Sequence, residues 1–321
     1  MRVLVTGASG FVGNSWCSYL KNKKFHVVGL VRSLPQKPLL GVDCLVVEGF
    51  SDEENWREIL GGIDVVVHCA ARVHVMQDKG GGLDLFRKIN VIGTACIAKQ
   101  AAINGVKRFI YLSSAKVNGE RTYDCPFRAD DQPSPEDDYS VSKWEAEQTL
   151  IKVSKETKLE IVIIRPPLIY GPGVKANFLR LIKLVDSGIP LPLGSIHNLR
   201  SLVALENLVS LIEACISHPA AIGQTFLVSD DEDVSTSILL KKVANAIGRP
   251  DRSFPVPEKF LWLFARLFGK KNIAQRICGS LQLDIEKTKA LLGWLPKISM
   301  DKALLQTVKY YQDNRNRTRA L

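Results

Sequence analysis

The chain has 321 residues, of which 46% are hydrophobic and 24% are charged, and its formal net charge is +10. This composition excludes a disordered chain, a collagen-like repeat and a disulfide scaffold, and no apolar run reaches the ~18 residues that span a bilayer. The seven cysteines lack C-x-x-C spacing, which predicts reduced thiols in a cytoplasmic protein without a metal site. We expect no secretory leader, because the first apolar stretch stops at a glycine turn and no small-residue cleavage site follows a charged segment. We expect no nucleic-acid partner either, because the basic residues are not interleaved with aromatic ones.

Short β-rich runs alternate with helical stretches over the first half of the chain. In chain order, the sequence predicts a strand over 2–5, a helix over 14–21, strands over 26–31 and 44–47, a helix over 55–60, a strand over 64–69, a helix over 86–104, a strand over 108–113, a helix over 140–157 and a strand over 160–165. Near-continuous apolar strands between helices indicate a parallel sheet covered on both faces. We therefore predict an α/β fold with a Rossmann-type doubly wound parallel sheet, whose ligands bind beyond the carboxyl ends of the strands.

The sequence changes after Pro166-Pro167, where glycine and proline become frequent and short helices follow. This change predicts a dinucleotide-binding Rossmann domain over 1–170 and a smaller C-terminal substrate-binding lobe over 171–321. A strand over 225–228 is expected to return to the main sheet. The apolar helix over 260–268 is expected to pack over the lobe; the alternative is that it lies on a membrane surface.

The first predicted strand ends in a glycine-rich turn, Thr6-Gly7-Ala8-Ser9-Gly10-Phe11-Val12-Gly13, and a helix follows. Glycines at this spacing permit a tight turn, a close approach of the backbone to a ligand and close packing of helix on strand. Amides at the start of the helix favour a pyrophosphate, so the turn predicts a dinucleotide site. The predicted cofactor contacts in the turn are Gly7, Ser9, Gly10, Phe11, Val12 and Gly13.

The end of the second predicted strand bears on the choice of dinucleotide. NAD enzymes commonly have an acidic residue there that binds the ribose 2′-hydroxyl, whereas this chain has Val31-Arg32-Ser33. A guanidinium at this place can pair with a 2′-phosphate, so Arg32 and Ser33 favour NADP, with NAD as the alternative. The competing interpretation is that Arg32 stacks on the adenine or points into solvent.

Tyr139-Ser140-Val141-Ser142-Lys143 places a phenol and an ammonium four residues apart on a predicted helix. Such residues share one helix face, and a nearby cation favours the phenolate, which predicts a lowered pKa for Tyr139. The pair could exchange a proton with a carbonyl or carbinol oxygen while a hydride moves to or from nicotinamide. The same spacing also occurs on solvated helix faces, so its meaning depends on the dinucleotide turn.

Four features together resemble the extended short-chain dehydrogenase/reductases, and in particular their nucleotide-sugar branch. They are the glycine-rich opening, the Tyr-x-x-x-Lys pair, His68-Cys69-Ala70-Ala71 and Asn90-Val91-Ile92-Gly93-Thr94. The resemblance implies that Tyr139 transfers the proton, that Lys143 holds the cofactor ribose and that Ser114 orients the reacting sugar oxygen, with Ser113 as the neighbouring candidate. Further implied cofactor contacts are Cys69, Ala70, Ala71, Asn90, Lys143 and Pro166. A homodimer through the helices over 86–104 and 139–157 is also implied.

The second lobe supplies the substrate contacts that the resemblance implies. Besides Ser114 and Tyr139 of the first domain, the implied substrate contacts are Lys175, Asn177, Phe178 and Arg200. A diphosphate needs charge-assisted donors, which an arginine fork supplies; the alternative for Arg200 is an exposed arginine beside a strand. Arg276 is a weaker candidate for a second diphosphate contact. Leu168 stands where related epimerases have a substrate-binding asparagine.

These features predict an NAD(P)-dependent enzyme that acts at carbon 4 of a UDP-hexose. Dehydration is disfavoured, because Ala115 and Lys116 replace the Asp-Glu pair of the sugar 4,6-dehydratases. The likeness favours a 4-keto reductase for UDP-2-acetamido-2,6-dideoxy-hexos-4-ulose, similar to the UDP-N-acetylquinovosamine dehydrogenases of lipopolysaccharide biosynthesis. The alternatives are a UDP-glucose or UDP-N-acetylglucosamine 4-epimerase, which Arg32 and Leu168 disfavour, and a non-catalytic NADP-sensing protein on the same fold.

Overall fold

The computed structural model describes residues 1–319 except 22, 24, 36–37, 40, 51–53, 74–81 and 270. The strands of this part are, in chain order, β1 (Arg2–Thr6), β2 (His26–Val31), β3 (Val42–Val46), β4 (Val65–His68), β5 (Arg108–Leu112), β6 (Glu160–Arg165), β7 (Leu168–Tyr170), β8 (Leu202–Ala204) and β9 (Thr225–Leu227). Seven of them form a parallel sheet in the order β3-β2-β1-β4-β5-β6-β9, and β7 pairs in parallel with β8.

The helices are α1 (Phe11–Lys21), α2 (Trp56–Leu60), α3 (Gly82–Phe86), α4 (Gly93–Ile103), α5 (Asp138–Glu156), α6 (Ala176–Asp186), α7 (Leu205–Ser217), α8 (Thr236–Ile247), α9 (Glu258–Leu267), α10 (Lys271–Cys278), α11 (Glu286–Leu292) and α12 (Met300–Arg319). A π-helix (Arg87–Ile92) joins α3 to α4, and Ala115–Val117 and Pro219–Ala221 are 3₁₀ helices. The single helix predicted over 86–104 therefore contains a π-helical segment, which widens the helix around Asn90.

The sheet is buried on both faces, as β1 illustrates. Val3 and Val5 join a core that includes Trp16 of α1, whereas Leu4 joins a second core that includes Ile97 of α4. Alternate residues of a strand point to opposite faces, so helices must cover both sides. The predicted doubly wound α/β fold is confirmed.

The second half of the chain contributes to the main sheet and also builds a core of its own. β9 pairs with β6 at the edge of the main sheet. A third core contains Tyr170, Phe178, Val243 and Leu304. The division into residues 1–170 and 171–321 stays a prediction, since packing crosses residue 170.

Helix α9 differs from the expectation that it packs over the second lobe. No residue of α9 is buried, although α9 contacts α10. The expected burial is therefore wrong for most of this helix. Within the described ranges, no helix is long and apolar enough to cross a membrane.

Candidate active site

The glycine-rich turn leads from β1 into α1, and its three glycine positions leave no room for a side chain. Gly7 has a φ of +65°, and a Cβ added there would lie 2.9 Å from the amide nitrogen of Ala70. A Cβ on Gly10 would lie 3.0 Å from the carbonyl oxygen of Gly7, and one on Gly13 would lie 2.3 Å from the same atom. The Gly10 amide donates to that carbonyl at 2.8 Å, which closes the turn at the start of α1. This shape fits the pyrophosphate of a dinucleotide.

The other predicted cofactor residues lie at the same edge of the sheet. β2, β1 and β4 are neighbours in the sheet. Arg32 and Ser33 follow the carboxyl end of β2, the glycine turn follows β1, and Cys69, Ala70 and Ala71 follow β4. Of the predicted contacts, Ser9, Gly10, Arg32 and Ser33 are exposed, whereas Val12, Gly13, Asn90 and Pro166 are buried. The side chain of Val12 belongs to the core beside the sheet, so only its backbone could contact a cofactor.

His68 fixes the strand ends beside the glycine turn. Its Nδ1 lies 2.9 Å from Oγ1 of Thr6, and its Nε2 lies 3.1 Å from Oγ1 of Thr94. Burial, with the nearby positive charge of Lys143, lowers the pKa of His68 to about 3. The ring is therefore neutral and can donate to one threonine and accept from the other. The amide of Ala70 donates to the same Thr6 hydroxyl at 3.1 Å, which holds the segment after β4.

Asn90 holds that segment from the other side. Its Oδ1 accepts from the backbone amide of Arg72 at 2.8 Å, and its Nδ2 donates to the carbonyl of Arg72 at 3.1 Å and to Oγ of Ser142 at 3.0 Å. These bonds join the loop after β4 to α5. The structure thus gives Asn90 a positioning role next to the predicted cofactor contacts.

Lys143 is buried at the end of β5. Its Nζ donates to the carbonyl of Leu112 at 2.7 Å and lies 4.4 Å from the ring centroid of Tyr111. Burial lowers the pKa of Lys143 to about 7, although the negative charge of Glu147 opposes the change. The ammonium is therefore poised to lose or gain its proton near neutral pH.

Tyr139 does not have the lowered pKa that the sequence predicts. Burial raises the pKa of its phenol above the ordinary value, and the negative charge of Asp137 raises it further. The physical reason is that burial disfavours the phenolate, while Nζ of Lys143 donates to the Leu112 carbonyl. The Tyr139 ring packs edge to face against Phe86, with ring centroids 6.3 Å apart.

The two candidate serines have different surroundings. Ser113 Oγ donates to Oε1 of the buried Glu147 at 2.5 Å, and Arg165 donates to the two oxygens of that carboxylate at 2.9 and 2.6 Å. Ser114, in contrast, is half-buried and its Oγ accepts from the amide of Lys116 at 3.3 Å, which leaves its hydroxyl proton for another partner. The geometry favours Ser114 over Ser113 as the residue that meets a substrate.

An ion pair that the sequence analysis missed connects the segments of Ser114 and Tyr139. Lys116 Nζ lies 2.6 Å from Oδ2 of Asp137, the N-cap residue of α5, and 2.5 Å from Oε1 of Glu120. Burial favours a raised pKa for Asp137, but its bonds to Lys116 and to the amide of Ser140 outweigh burial and lower the pKa to about 2. The only sequence signal for this contact is that each partner lies two residues from a catalytic candidate.

The predicted substrate residues on α6 and just before it differ in exposure. Lys175 and Asn177 are exposed at the start of α6. Phe178 is buried and its ring stacks on Tyr170 with ring centroids 5.1 Å apart, so a substrate could meet only the backbone of Phe178, and its role as a substrate contact stays a prediction. Its amphipathic helix directs this ring into the third core.

Arg200 lies beside the backbone of Arg276. Nη1 of Arg200 donates to the carbonyl oxygens of Arg276 at 3.2 Å and Gly279 at 2.9 Å. Burial lowers the pKa of Arg200, Glu120 opposes this change, and the positive charge of Arg276 lowers the pKa further. A bound dianion would relieve the repulsion between the two guanidinium groups.

The fold and the glycine turn define a dinucleotide-binding protein of the Rossmann class. A sequence model of the "NAD dependent epimerase/dehydratase family" matches residues 3–229. The chain is 47% identical over 321 residues to a "UDP-glucose 4-epimerase" of Vibrio cholerae, which covers 98% of this chain and 97% of the relative. It is 26% identical over 326 residues to the "N-acetyl-alpha-D-glucosaminyl-diphospho-ditrans,octacis-undecaprenol 4-epimerase" of Escherichia coli O157:H7, covering 96% and 95% of the two chains.

Solved structures share the fold over nearly the whole chain. A UDP-glucose 4-epimerase from Thermotoga maritima has a TM-score of 0.78 at 22% identity, covering 98% of this chain and 100% of that chain. A UDP-glucuronic acid 4-epimerase from Bacillus cereus has a TM-score of 0.78 at 22% identity, covering 98% and 97%. The chain belongs to the NAD dependent epimerase/dehydratase family, which confirms the resemblance to the extended short-chain dehydrogenase/reductases. It is an enzyme of this family, which argues against the non-catalytic alternative, and a nicotinamide dinucleotide is its cofactor.

Proposed function

We propose that the protein is a 4-epimerase of a UDP-hexose. The observation that carries this proposal is the 47% identity, over almost the whole of both chains, with the Vibrio cholerae UDP-glucose 4-epimerase. The Escherichia coli relative is also named as a 4-epimerase of a sugar attached to a diphosphate. The adjacent Arg200 and Arg276 suit a diphosphate, which both names have in common. The proposal gives the epimerase preference over the reductase favoured by the sequence patterns.

The proposed mechanism assigns one task to each residue at the end of β5 and the start of α5. When bound, NAD would supply a reversible hydride acceptor for carbon 4. Tyr139 takes the proton of the carbon-4 hydroxyl and gives it back when the hydroxyl re-forms. Ser114 donates a hydrogen bond to the same oxygen, which stabilises negative charge there. Lys143 holds the cofactor ribose and, when protonated, stabilises the Tyr139 phenolate.

The Tyr139 pKa makes the charge of Lys143 important for this chemistry. The phenol in this structure holds its proton more tightly than a free tyrosine does, so it is a poor base until a positive charge reaches it. Lys143, whose pKa is about 7, lies one helical turn away and provides that charge when it takes up a proton. Tyr139 and Lys143 lie four residues apart on α5 and so share one face of it. The Lys116–Asp137 ion pair fixes the start of α5 against the Ser114 segment.

A 4-keto reductase is the second candidate, because one observation specifically favours it. Arg32 is exposed at the end of β2, where a guanidinium can meet the 2′-phosphate of NADP, and reductases need a cofactor that exchanges with solvent. Leu168 is also exposed where an epimerase asparagine was expected. NADP use therefore belongs to this candidate and NAD use to the epimerase.

A direct assay separates the two candidates. The purified protein is incubated with UDP-glucose or UDP-N-acetylglucosamine and NAD, and chromatography follows the 4-epimer. The epimerase proposal expects that product without net consumption of cofactor. If instead the protein oxidises NADPH only with a UDP-4-keto-6-deoxy-N-acetylhexosamine and produces no 4-epimer, the epimerase proposal is wrong.

Replacing Tyr139 by phenylalanine tests the proton transfer in either reaction. Tyr139→Phe is expected to lower kcat by about 10²-fold or more, since it removes the acid–base group and little volume. Tyr123→Phe, which removes the hydroxyl of a side chain that is 75% exposed, is the matched control and should leave kcat unchanged. Equal kcat values for the two variants would contradict the role of Tyr139.

We propose a homodimer and a cytoplasmic location for this enzyme. Ile92 and Ile103 are exposed on the helical segment that precedes β5, and Ile151 is exposed on α5, which suits an interface between these helices in two copies. All seven cysteines are free thiols, as a reducing compartment requires. Light scattering of the purified protein tests the dimer, and a monomeric mass at micromolar concentration would refute it.

A further inference from the structure

Helix α9 presents an apolar stripe to solvent. Its members are Phe260, Leu263, Phe264, Leu267 and the following Phe268, which are 45–72% exposed. They recur at positions i, i+3, i+4, i+7 and i+8, so they share one helix face. A helix that packs on a protein core buries such a face, whereas here no residue of α9 is buried. An exposed apolar face of this size indicates a surface that another body covers.

The stripe belongs to a hairpin, residues 258–278, that α9 and α10 form. An apolar groove of about 240 Å³ between the two helices is lined by residues that include Leu261, Phe264 and Ile277. The base of the hairpin is fixed, because Nδ2 of Asn198 donates to the carbonyl of Ile277 at 3.2 Å and Oγ1 of Thr236 donates to it at 2.6 Å. The hairpin is thus anchored at one end, and the stripe borders the apolar groove at Phe264 and Phe268.

Helix α9 carries two cations, Lys259 and Arg266, besides the stripe. In the sequence, residues 258–278 hold one carboxylate, Glu258, and an excess of cations, of which Lys259 and Arg266 lie on α9. The carboxylate accepts a hydrogen bond from Nε1 of Trp262 at 2.9 Å. A short amphipathic helix with aromatic residues on one side and cations beside them is the pattern of helices that lie in a membrane interface.

We propose that this hairpin docks on the surface of an anionic lipid bilayer, with the stripe in the interface and the cations among the headgroups. Each cation near an anionic surface contributes about 1 kcal/mol, or about fivefold in binding. A second copy of the chain suits the face less well, because a two-fold contact would bring the same cations together. α9 has ten residues and cannot cross the bilayer, so it lies along its plane.

Docking would bring the candidate active site to the membrane. Arg200 donates to the carbonyl oxygens of Arg276 and Gly279, so the proposed diphosphate site adjoins the C-terminal end of the hairpin. The docking surface itself is independent of the reaction that the enzyme catalyses. Its test therefore measures vesicle binding and does not depend on the epimerase proposal.

Vesicle flotation tests the proposal with the full chain. The protein is mixed with vesicles of phosphatidylcholine alone or of phosphatidylcholine with the anionic lipid phosphatidylglycerol. We expect at least about tenfold stronger partitioning to the anionic vesicles, weakened by added salt. The variant Leu267→Asp/Phe268→Asp should lose this binding by about tenfold or more, since it places two charges in the stripe.

Controls separate membrane docking from unfolding. Leu295→Asp/Leu305→Asp changes two other exposed leucines and should bind vesicles as the unchanged protein does. Lys259→Glu/Arg266→Glu leaves the stripe intact and should weaken binding to anionic vesicles only. The thermal midpoint of each variant should stay within a few degrees of the original, because the changed side chains are exposed.

Three results would overturn the proposal. One is a chain that floats with neither kind of vesicle. Another is equal flotation of the original protein and the Leu267→Asp/Phe268→Asp variant. The third is an oligomer that dissociates in this variant while no vesicle binding occurs, which would assign the stripe to a second copy of the chain.

Discussion

The Glu147–Arg165 ion pair lies behind the proposed catalytic face of α5, and replacing Glu147 by glutamine measures its contribution. The two side chains are 1% and 4% exposed, and the carboxylate also accepts from Ser113. Glutamine preserves the shape of the residue but removes its charge. Arg165 would then be a buried cation without a counter-charge, because its other described partners are neutral: the oxygens of Asn118 and Ala129 and the ring of Trp144.

The expected magnitude follows from this burial. Removing one partner of a buried ion pair costs about 3–5 kcal/mol of unfolding free energy, because the remaining charge has lost its solvent. The same helix offers a matched exposed pair, Glu145 with Arg87, whose side chains are 29% and 44% exposed. Glu145→Gln should cost much less, since solvent screens the pair. The difference between the two variants isolates the effect of burial.

Urea unfolding followed by tryptophan fluorescence provides the measurement. The free energy of unfolding should fall several-fold more for Glu147→Gln than for Glu145→Gln. Replacing both partners, in Glu147→Leu with Arg165→Met, should restore most of the loss, because no charge then remains in the core. Equal losses for the two glutamine variants would show that the buried pair does not hold α5 against the sheet.

Three further changes test other parts of the site. Gly13→Ala should weaken NADH binding by at least about tenfold, because its Cβ would lie 2.3 Å from the carbonyl oxygen of Gly7. The control is Gly49→Ala, whose Cβ meets nothing within 4 Å, and this variant should bind NADH normally. A fluorescence titration with NADH measures both variants. Burial lowers the pKa of Lys143 from 10.5 to about 7, so the unfolded state binds more protons than the folded state between these pH values. The free energy of unfolding should therefore rise with pH from 7 to 10. Lys143→Met should remove this rise in urea unfolding, and a rise that persists would contradict the lowered pKa. Arg32→Asp should shift the ratio of NADP to NAD affinity toward NAD, and an unchanged ratio would mean that Arg32 does not bind a 2′-phosphate.

Several contacts of the site could not be read from the sequence. The Lys116–Asp137 and Glu147–Arg165 pairs join residues 21 and 18 positions apart, and no local pattern specifies either pairing. Burial decided the pKa of Tyr139, which the sequence predicted to be lowered by its helical neighbour. The desolvation of a group depends on all the segments that surround it, which spacing along one helix does not reveal.

The sequence by itself determined the sheet, the glycine turn and the Tyr139–Lys143 face, because these depend on local periodicity and on backbone freedom at single positions. Only the tertiary structure decided which of two adjacent serines faces away from the core network, why the Phe178 ring is unavailable to a substrate, and that the apolar face of α9 is exposed. Each of these outcomes depends on which distant segments meet. Packing across the whole chain decides these contacts. An apolar stripe in the sequence does not by itself distinguish a helix that faces the core from one that faces another surface.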